Sequence, residues 1–127
     1  MIREMQSEYG QVDGLLMRVF GASRLGEYER VVCCWEGDLL VGCVGLTNLG
    51  GKLCLNQLCV EEAFRGMGVA SSMLEFVSRQ YAREGLVLYV DKHKGSTDCL
   101  VEFYCGRGFQ VVSEGPNEFL LGRAAIE

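Results

Sequence analysis

A chain of 127 residues with 49% hydrophobic content can bury one core and is too short for two, so a single domain is expected. Twelve basic against seventeen acidic side chains give a formal charge of -5 and a pI near 4.9, which argues against nucleic acid as a partner and mildly favours cationic small molecules or basic peptides. No apolar stretch approaches the ~20 residues of a membrane-spanning helix, and Met1-Ile2-Arg3-Glu4-Met5 lacks the basic-then-apolar layout of a signal peptide, so a cytoplasmic protein with no membrane partner is expected.

Seven cysteines are present, Cys33, Cys34, Cys43, Cys54, Cys59, Cys99 and Cys105. The count is odd and most sit inside apolar runs, which reads as buried thiols rather than a disulfide framework. There is no Cys-x-x-Cys spacing and one histidine, His93, so no metal is expected.

In chain order, residues 2–5 suit a short strand, and Val12, Leu15, Leu16, Val19 and Phe20 recur at helical spacing. Residues 21–29 are looser, with room for a second short helix. Residues 31–35, Glu36-Gly37-Asp38 and residues 39–46 read as a hairpin; Gly50-Gly51 makes the next turn and residues 52–60 a third strand. A polar turn with two glycines follows, Glu61-Glu62-Ala63-Phe64-Arg65-Gly66-Met67-Gly68, and then an amphipathic helix with Ala70, Met73, Leu74, Val77 and Tyr81 on one face. The other positions, Ser71, Ser72, Glu75, Ser78, Arg79 and Arg83, are polar, and Gly85 ends the helix. Residues 86–90 form a short apolar run suited to a buried strand, so strand, helix and strand in succession allow one parallel pair. Residues 91–97 are turn-like, Asp98 can cap a helix carrying Leu100, Val101, Phe103 and Tyr104, and two closing strands are expected at residues 109–113 and 118–121. The expectation is a mixed α/β (α+β) fold whose sheet is mostly antiparallel.

A strand that delivers a glycine-bearing turn into a helix start aims several backbone N–H groups and the positive helix end at one spot, which suits a phosphate. The segment Arg65-Gly66-Met67-Gly68-Val69-Ala70 lacks the Lys-Ser/Thr ending of a mononucleotide loop, and Ser71 stands where a dinucleotide fold has its third small residue. It resembles instead the Gln/Arg-x-x-Gly-x-Gly/Ala loop of the GNAT superfamily of acyl-CoA-dependent N-acetyltransferases. Phe103-Tyr104-Cys105-Gly106-Arg107-Gly108-Phe109 is similar to that superfamily's Phe-Tyr-x-x-x-Gly-Phe segment. The two motifs stand in the superfamily's order, with a helix and a strand between them and the strand meander before them.

The resemblance implies an N-acetyltransferase that takes acetyl-CoA as cosubstrate, held where two parallel strands ending near Val60 and Val90 splay apart. Backbone N–H groups of Met67, Gly68, Val69 and Ala70, with Ser71 in the same helix turn, would bind the pyrophosphate; Gly66 and Gly68 let the backbone approach, and Arg65 adds a cation. The pantetheine arm would pair with the backbone of Leu58, Cys59 and Val60, and the N–H of Leu58 or Cys59 would polarise the thioester carbonyl. Cys59 itself reads as a packed thiol, with no activating base beside it. Tyr104 stands for the superfamily's general acid, near the departing sulfur.

Two departures from the superfamily pattern stand out. Many relatives carry a carboxylate on the central strand to deprotonate the amine; here residues 52–60 offer Asn56 and Gln57, whose amides can only hold a water that relays a proton to Glu61, Glu62, Asp91 or His93. Thr97 replaces an asparagine that contacts the cofactor seven residues before the tyrosine. Acceptor contacts are expected from residues 16–29, where Glu27, Tyr28 and Glu29 cluster, and from the closing strands. The expected partners are acetyl-CoA and a small-molecule or peptide amine, with the chain a monomer or homodimer. The missing carboxylate keeps a second reading open, a non-catalytic acyl-CoA-binding module, and a third treats the loop as mere architecture in a partner-binding domain.

Overall fold

The computed structural model describes residues 1–81, 85–93 and 97–124. Among these the chain runs β1 (Ile2–Glu4), α1 (Tyr9–Phe20), a short 3-10 helix (Leu25–Glu27), β2 (Arg30–Glu36), β3 (Leu39–Leu49), β4 (Lys52–Val60), a second 3-10 helix (Glu62–Phe64), α2 (Val69–Gln80), β5 (Leu86–Asp91), α3 (Thr97–Cys105), β6 (Gln110–Glu114) and β7 (Glu118–Arg123). The strands make one sheet in the order β1-β2-β3-β4-β5-β7-β6. Only β4 and β5 run parallel; the other neighbours are antiparallel.

Side-chain alternation explains why both faces of the sheet are covered. On β2, Val31, Cys33 and Trp35 face α1, where they meet Val12, Leu15 and Leu16 together with Leu40, Cys43 and Cys59. Val32 faces the other way, into a larger core that joins Val44, Leu46, Leu53 and Leu55 to Leu74 and Val77 of α2, to Leu86, Leu88 and Val90 of β5, and to Tyr104, Phe109 and Leu121. Fully burying each of these aliphatic side chains contributes roughly 1.5–3 kcal/mol. α2 depends on that burial. Its sequence VASSMLEFVSRQ carries three serines and its start has no side-chain cap, so packing rather than intrinsic propensity holds it.

The observed elements follow the expected order, with three corrections. Asp98 lies inside the first turn of α3, which begins at Thr97; its carboxylate faces the helix dipole there instead of capping the helix from outside. Ser78, expected on the polar side of α2, is 2% exposed. It is buried because its hydroxyl is satisfied twice, donating to the Leu74 carbonyl at 2.8 Å and accepting from Arg123 Nη1 at 2.9 Å. Tyr81 lies one residue past the helix end and donates its hydroxyl to Glu4. Arg83 and residues 94–96 of the polar loop lie outside the described residues.

At the start of α1, Glu8 turns its carboxylate back on the chain. Oε2 accepts the N–H groups of Ser7 at 2.5 Å and Gln6 at 3.2 Å, and Oε1 pairs with Arg3 at 2.5 Å. The backbone hydrogen bond from Ser7, aided by Arg3, lowers the Glu8 pKa to about 2. A lowered carboxylate adds stability above its unfolded value of 4.5 and loses it as pH falls toward 2. Thermal melts should therefore show wild type ahead of Glu8→Gln above pH ~5, with the gap closing as pH falls toward ~2; a gap independent of pH contradicts the assignment.

Candidate active site

The β4–β5 pair is short. Its parallel register covers Leu53↔Leu86 and Cys54↔Val87 and goes no further, while β5 stays on β7 as far as Asp91↔Glu118 and β4 stays on β3 as far as Val60↔Gly42. The two strands therefore part where β4 enters its second half, and the β5-facing backbone edge of residues 55–60 has no strand partner. A bulge accompanies the parting. Between Cys43↔Cys59 and Gly45↔Asn56, Gln57 and Leu58 oppose the single residue Val44, and Gln57 has φ 47, the one positive φ among described non-glycine residues.

Such a backbone conformation costs about 1–3 kcal/mol unless its surroundings enforce it. Here the side chain does so. Gln57 Oε1 accepts the Arg24 N–H at 3.1 Å and the Tyr28 hydroxyl at 2.5 Å, and its Nε2 donates to the Ala22 carbonyl at 3.0 Å. Burial pushes the Tyr28 hydroxyl up to about 12, so it remains a donor. Its ring lies flat on Gly45, where an added Cβ would come within 2.2 Å of the ring. The segment between α1 and β2 is thus pinned to the bulge that precedes Leu58.

Beyond β4, the Arg65 Nε donates to the Val60 carbonyl at 3.1 Å, and the chain turns into α2 through Gly66 at φ 80 and Gly68 at φ 81. Gly68 is the N-cap residue, left-handed and without a side-chain cap. Ser72 makes the first helical bond, to the Gly68 carbonyl at 2.9 Å, while the N–H groups of Gly66, Met67, Gly68, Val69, Ala70 and Ser71 meet no acceptor among the described residues. A Cβ at either glycine would meet nothing within 4 Å, and Met67 is 69% exposed. Left-handed backbone, open space and unpaired N–H groups at a helix start together suit a phosphate group. Leu58, Cys59 and Val60 close β4, and Glu61 with the short helix Glu62–Phe64 carries the chain from the open β4 edge to the loop and the first turn of α2, so the predicted cofactor residues lie on consecutive elements.

Tyr104, on α3, is 8% exposed, set edge-on against Phe103 at 5.2 Å and Phe109 at 5.5 Å between ring centroids. Burial pushes its pKa up to about 12, and its hydroxyl has no hydrogen-bond partner among the described residues. Leu58 packs against the cluster that holds Tyr104, Leu55, Leu88 and Val90, which places the tyrosine in the core under the parting strands. Cys59 points to the opposite face. Its Sγ lies 3.6 Å from that of Cys43, and the shared hydrogen bond and burial hold the Cys43 thiol above the ordinary range.

The groups expected to receive the amine proton are dispersed. Glu61 is paired with Arg18, and Glu62 lies exposed in the second 3-10 helix. Asp91 Oδ1 accepts the His93 N–H at 2.7 Å, and the exposed His93 ring contacts Asn117 Oδ1 at 2.9 Å. Asn56 donates to Thr47 Oγ1 and the Cys54 carbonyl, both at 3.0 Å. Thr97 donates its hydroxyl to the Asp91 carbonyl at 2.6 Å, joining the end of β5 to the start of α3. Among the described residues no cluster of three His, Cys, Asp or Glu side chains is arranged to hold a metal. Sequence reasoning missed the link from Gln57 through Tyr28 to Gly45. A glycine inside an apolar strand was its only local signal, since such a glycine often marks a close approach.

A mixed sheet that splits at its parallel pair leads into a glycine-bearing helix start whose N–H groups meet no acceptor among the described residues, an arrangement that suits a phosphate-bearing ligand. The chain belongs to the GNAT acetyltransferases: the model of the acetyltransferase (GNAT) domain matches residues 27–111. The aminoglycoside 6'-N-acetyltransferase from Enterococcus faecium is similar in fold, with TM-score 0.81 at 19% identity over 100% of this chain and 98% of that one. A GNAT family acetyltransferase from Elizabethkingia anophelis with acetyl-CoA bound gives 0.79 at 15% identity over 98% and 97%. A protein of Arabidopsis thaliana in complex with the bisubstrate analogue CoA-Ac-MVNAL gives 0.80 at 15% over 98% and 97%. No match is found among the curated proteins.

The fit of Tyr28 over Gly45 is directly testable. Gly45→Ala should lose roughly 1–3 kcal/mol in urea unfolding, and combining it with Tyr28→Ala should cost less than the sum of the two single changes. Strict additivity contradicts the contact.

Proposed function

We propose that this chain is an acetyl-CoA-dependent N-acetyltransferase that moves the acetyl group directly to a primary amine of a small molecule or peptide. The observation that carries the proposal is the continuity between the unpaired β4 edge and the unpaired N–H groups of residues 66–71. A cosubstrate with a peptide-like arm and a pyrophosphate matches both at once. The arm adds to the edge at Leu58, Cys59 and Val60; the pyrophosphate, carrying about two negative charges, lies on Gly66, Met67, Gly68, Val69, Ala70 and Ser71, with Arg65 beside it. Two structural neighbours are described as aminoglycoside 6'-N-acetyltransferases and another holds a CoA-peptide bisubstrate analogue, which supports an amine acceptor without choosing between the two kinds.

In the proposed reaction the amine lone pair attacks the thioester carbon, the N–H of Leu58 stabilises the oxygen as it gains charge, and the C–S bond then breaks; Cys59, the other donor expected from the sequence, stands opposite Cys43 in the register that directs its N–H to β3. Tyr104 faces the departing sulfur. With its pKa at about 12 the phenol is fully protonated in the working range. Complete proton transfer to a thiolate of ordinary pKa ~8.5 is uphill, so the chief contribution of Tyr104 is a hydrogen bond to the sulfur as charge develops. With Glu61 ion-paired and Asn56 committed to its own strand and to β3, the amine proton leaves through water.

A second reading, an acyl-CoA-binding module without turnover, is favoured by Asn56 alone, because an amide held by three acceptors can neither take a proton nor turn to pass one. Calorimetric titration separates the outcomes. Acetyl-CoA should bind with micromolar affinity, and Arg65→Ala with Gly68→Asp should abolish binding. Heat of binding without acetylation of any amine points to the second reading, and no binding by the intact protein contradicts both.

Activity against pH carries the mechanism. Without a tuned base, kcat/KM should climb tenfold per pH unit from about 7 toward the amine's own pKa of ~10. Tyr104 should impose no falling limb below pH ~10, because deprotonation would have to approach about 12. Tyr104→Phe should lower kcat about 10²-fold with acetyl-CoA affinity little changed. A bell centred near neutrality contradicts the water route.

A further inference from the structure

We propose that Arg107 is a phosphate-binding residue for acetyl-CoA, a second cation that reaches the loop from the α3 side; the inference rests on the reading of the wedge as an acetyl-CoA site. Arg107 follows α3, and its side chain returns along that helix, with the guanidinium carbon 3.8 Å from the centroid of the Phe103 ring and Nη1 donating to the Phe103 carbonyl at 2.9 Å. Nε donates to Ser71 Oγ at 2.8 Å. Ser71 belongs to the first turn of α2 and is one of the residues whose backbone N–H lacks an acceptor.

Electrostatics make this an unusual place for an arginine. The start of a helix carries positive partial charge and repels a cation. Arg3, Arg18, Arg24, Arg30, Arg79 and Lys92 each pair with a carboxylate. Arg107, like Arg65 and Arg123, has no carboxylate partner among the described residues; it pairs with a hydroxyl and a carbonyl, in a chain of formal charge -5 where acidic side chains outnumber basic ones. Two like-signed groups held together without a counter-charge are relieved by an anion placed between them. A phosphate fits that role, because the guanidinium keeps N–H groups free and its stacking on Phe103 fixes its orientation before the ligand arrives. Phe103 and Tyr104 are adjacent and diverge by about 100° on the helix. One turn of α3 thereby supports the phosphate end of the cosubstrate through Phe103 and Arg107, and its sulfur end through Tyr104.

Titration of acetyl-CoA and of dephospho-CoA into wild type, Arg107→Ala and Arg107→Lys tests the assignment, with melts of the unliganded proteins as a check on folding. Arg107→Ala should weaken acetyl-CoA by about tenfold or more, and Arg107→Lys should recover part of the loss because it keeps the charge. A loss shared by dephospho-CoA assigns the pyrophosphate, and a loss confined to acetyl-CoA assigns the 3'-phosphate; either supports the proposal. Unchanged affinity in Arg107→Ala, or a lysine variant no better than alanine, overturns it while leaving the acetyl-CoA reading intact. Failure of the wild type to bind acetyl-CoA overturns both.

Discussion

The loss of pairing between β4 and β5 beyond Cys54↔Val87 is the constraint on which the rest of the molecule depends. A buried sheet normally satisfies each backbone N–H and C=O along its interior strands. Here two central strands stop sharing hydrogen bonds while each keeps its outer neighbour, β3 on one side and β7 on the other. The sheet is held open from both flanks. α2 and α3 pack their Leu74, Val77 and Tyr104 into one cluster on the same face of the sheet.

The bulge on β4 connects this opening to the opposite face. Gln57 holds a left-handed backbone through three side-chain hydrogen bonds to residues 22, 24 and 28, and the Tyr28 ring rests where only a glycine leaves room. Movement of the segment between α1 and β2 must therefore act on the residue immediately before Leu58. Under the proposed reaction this couples the wall of the acceptor side to the N–H that faces the thioester, without any charged group between them. The charge in the molecule lies elsewhere: Glu61 is paired with Arg18, while the loop offers backbone N–H groups together with Arg65 and Arg107, which have no carboxylate partner among the described residues.

Much of this was legible in the sequence wherever the governing interactions are local. Residues 52–60 were expected as a strand and form one, because apolar residues and flanking glycines mark both its span and its turn. Gly66 and Gly68 were expected to admit close approach of a ligand, and both have the positive φ that few other residues adopt. The start of α3 was placed two positions late because a cap and a first-turn carboxylate leave the same trace in a sequence. Ser78 was assigned to the surface because its second partner, Arg123, is 45 positions away. Gln57 and Tyr28 were singled out for other roles and Arg107 only as part of a motif; their contacts with each other, with Gly45 and with Ser71 were missed for the same reason, since each joins segments far apart in the chain and no periodicity reports such a contact.

Amide hydrogen exchange with and without acetyl-CoA tests the central claim most directly. The account predicts that added acetyl-CoA slows exchange at Leu58, on the β4 edge that β5 does not pair, and at residues 66–71, whose amides meet no acceptor among the described residues, with little change along β2 and β3. Protection spread over other surfaces, or none at residues 66–71 while acetyl-CoA demonstrably binds, would contradict the placement of the cosubstrate between β4 and β5.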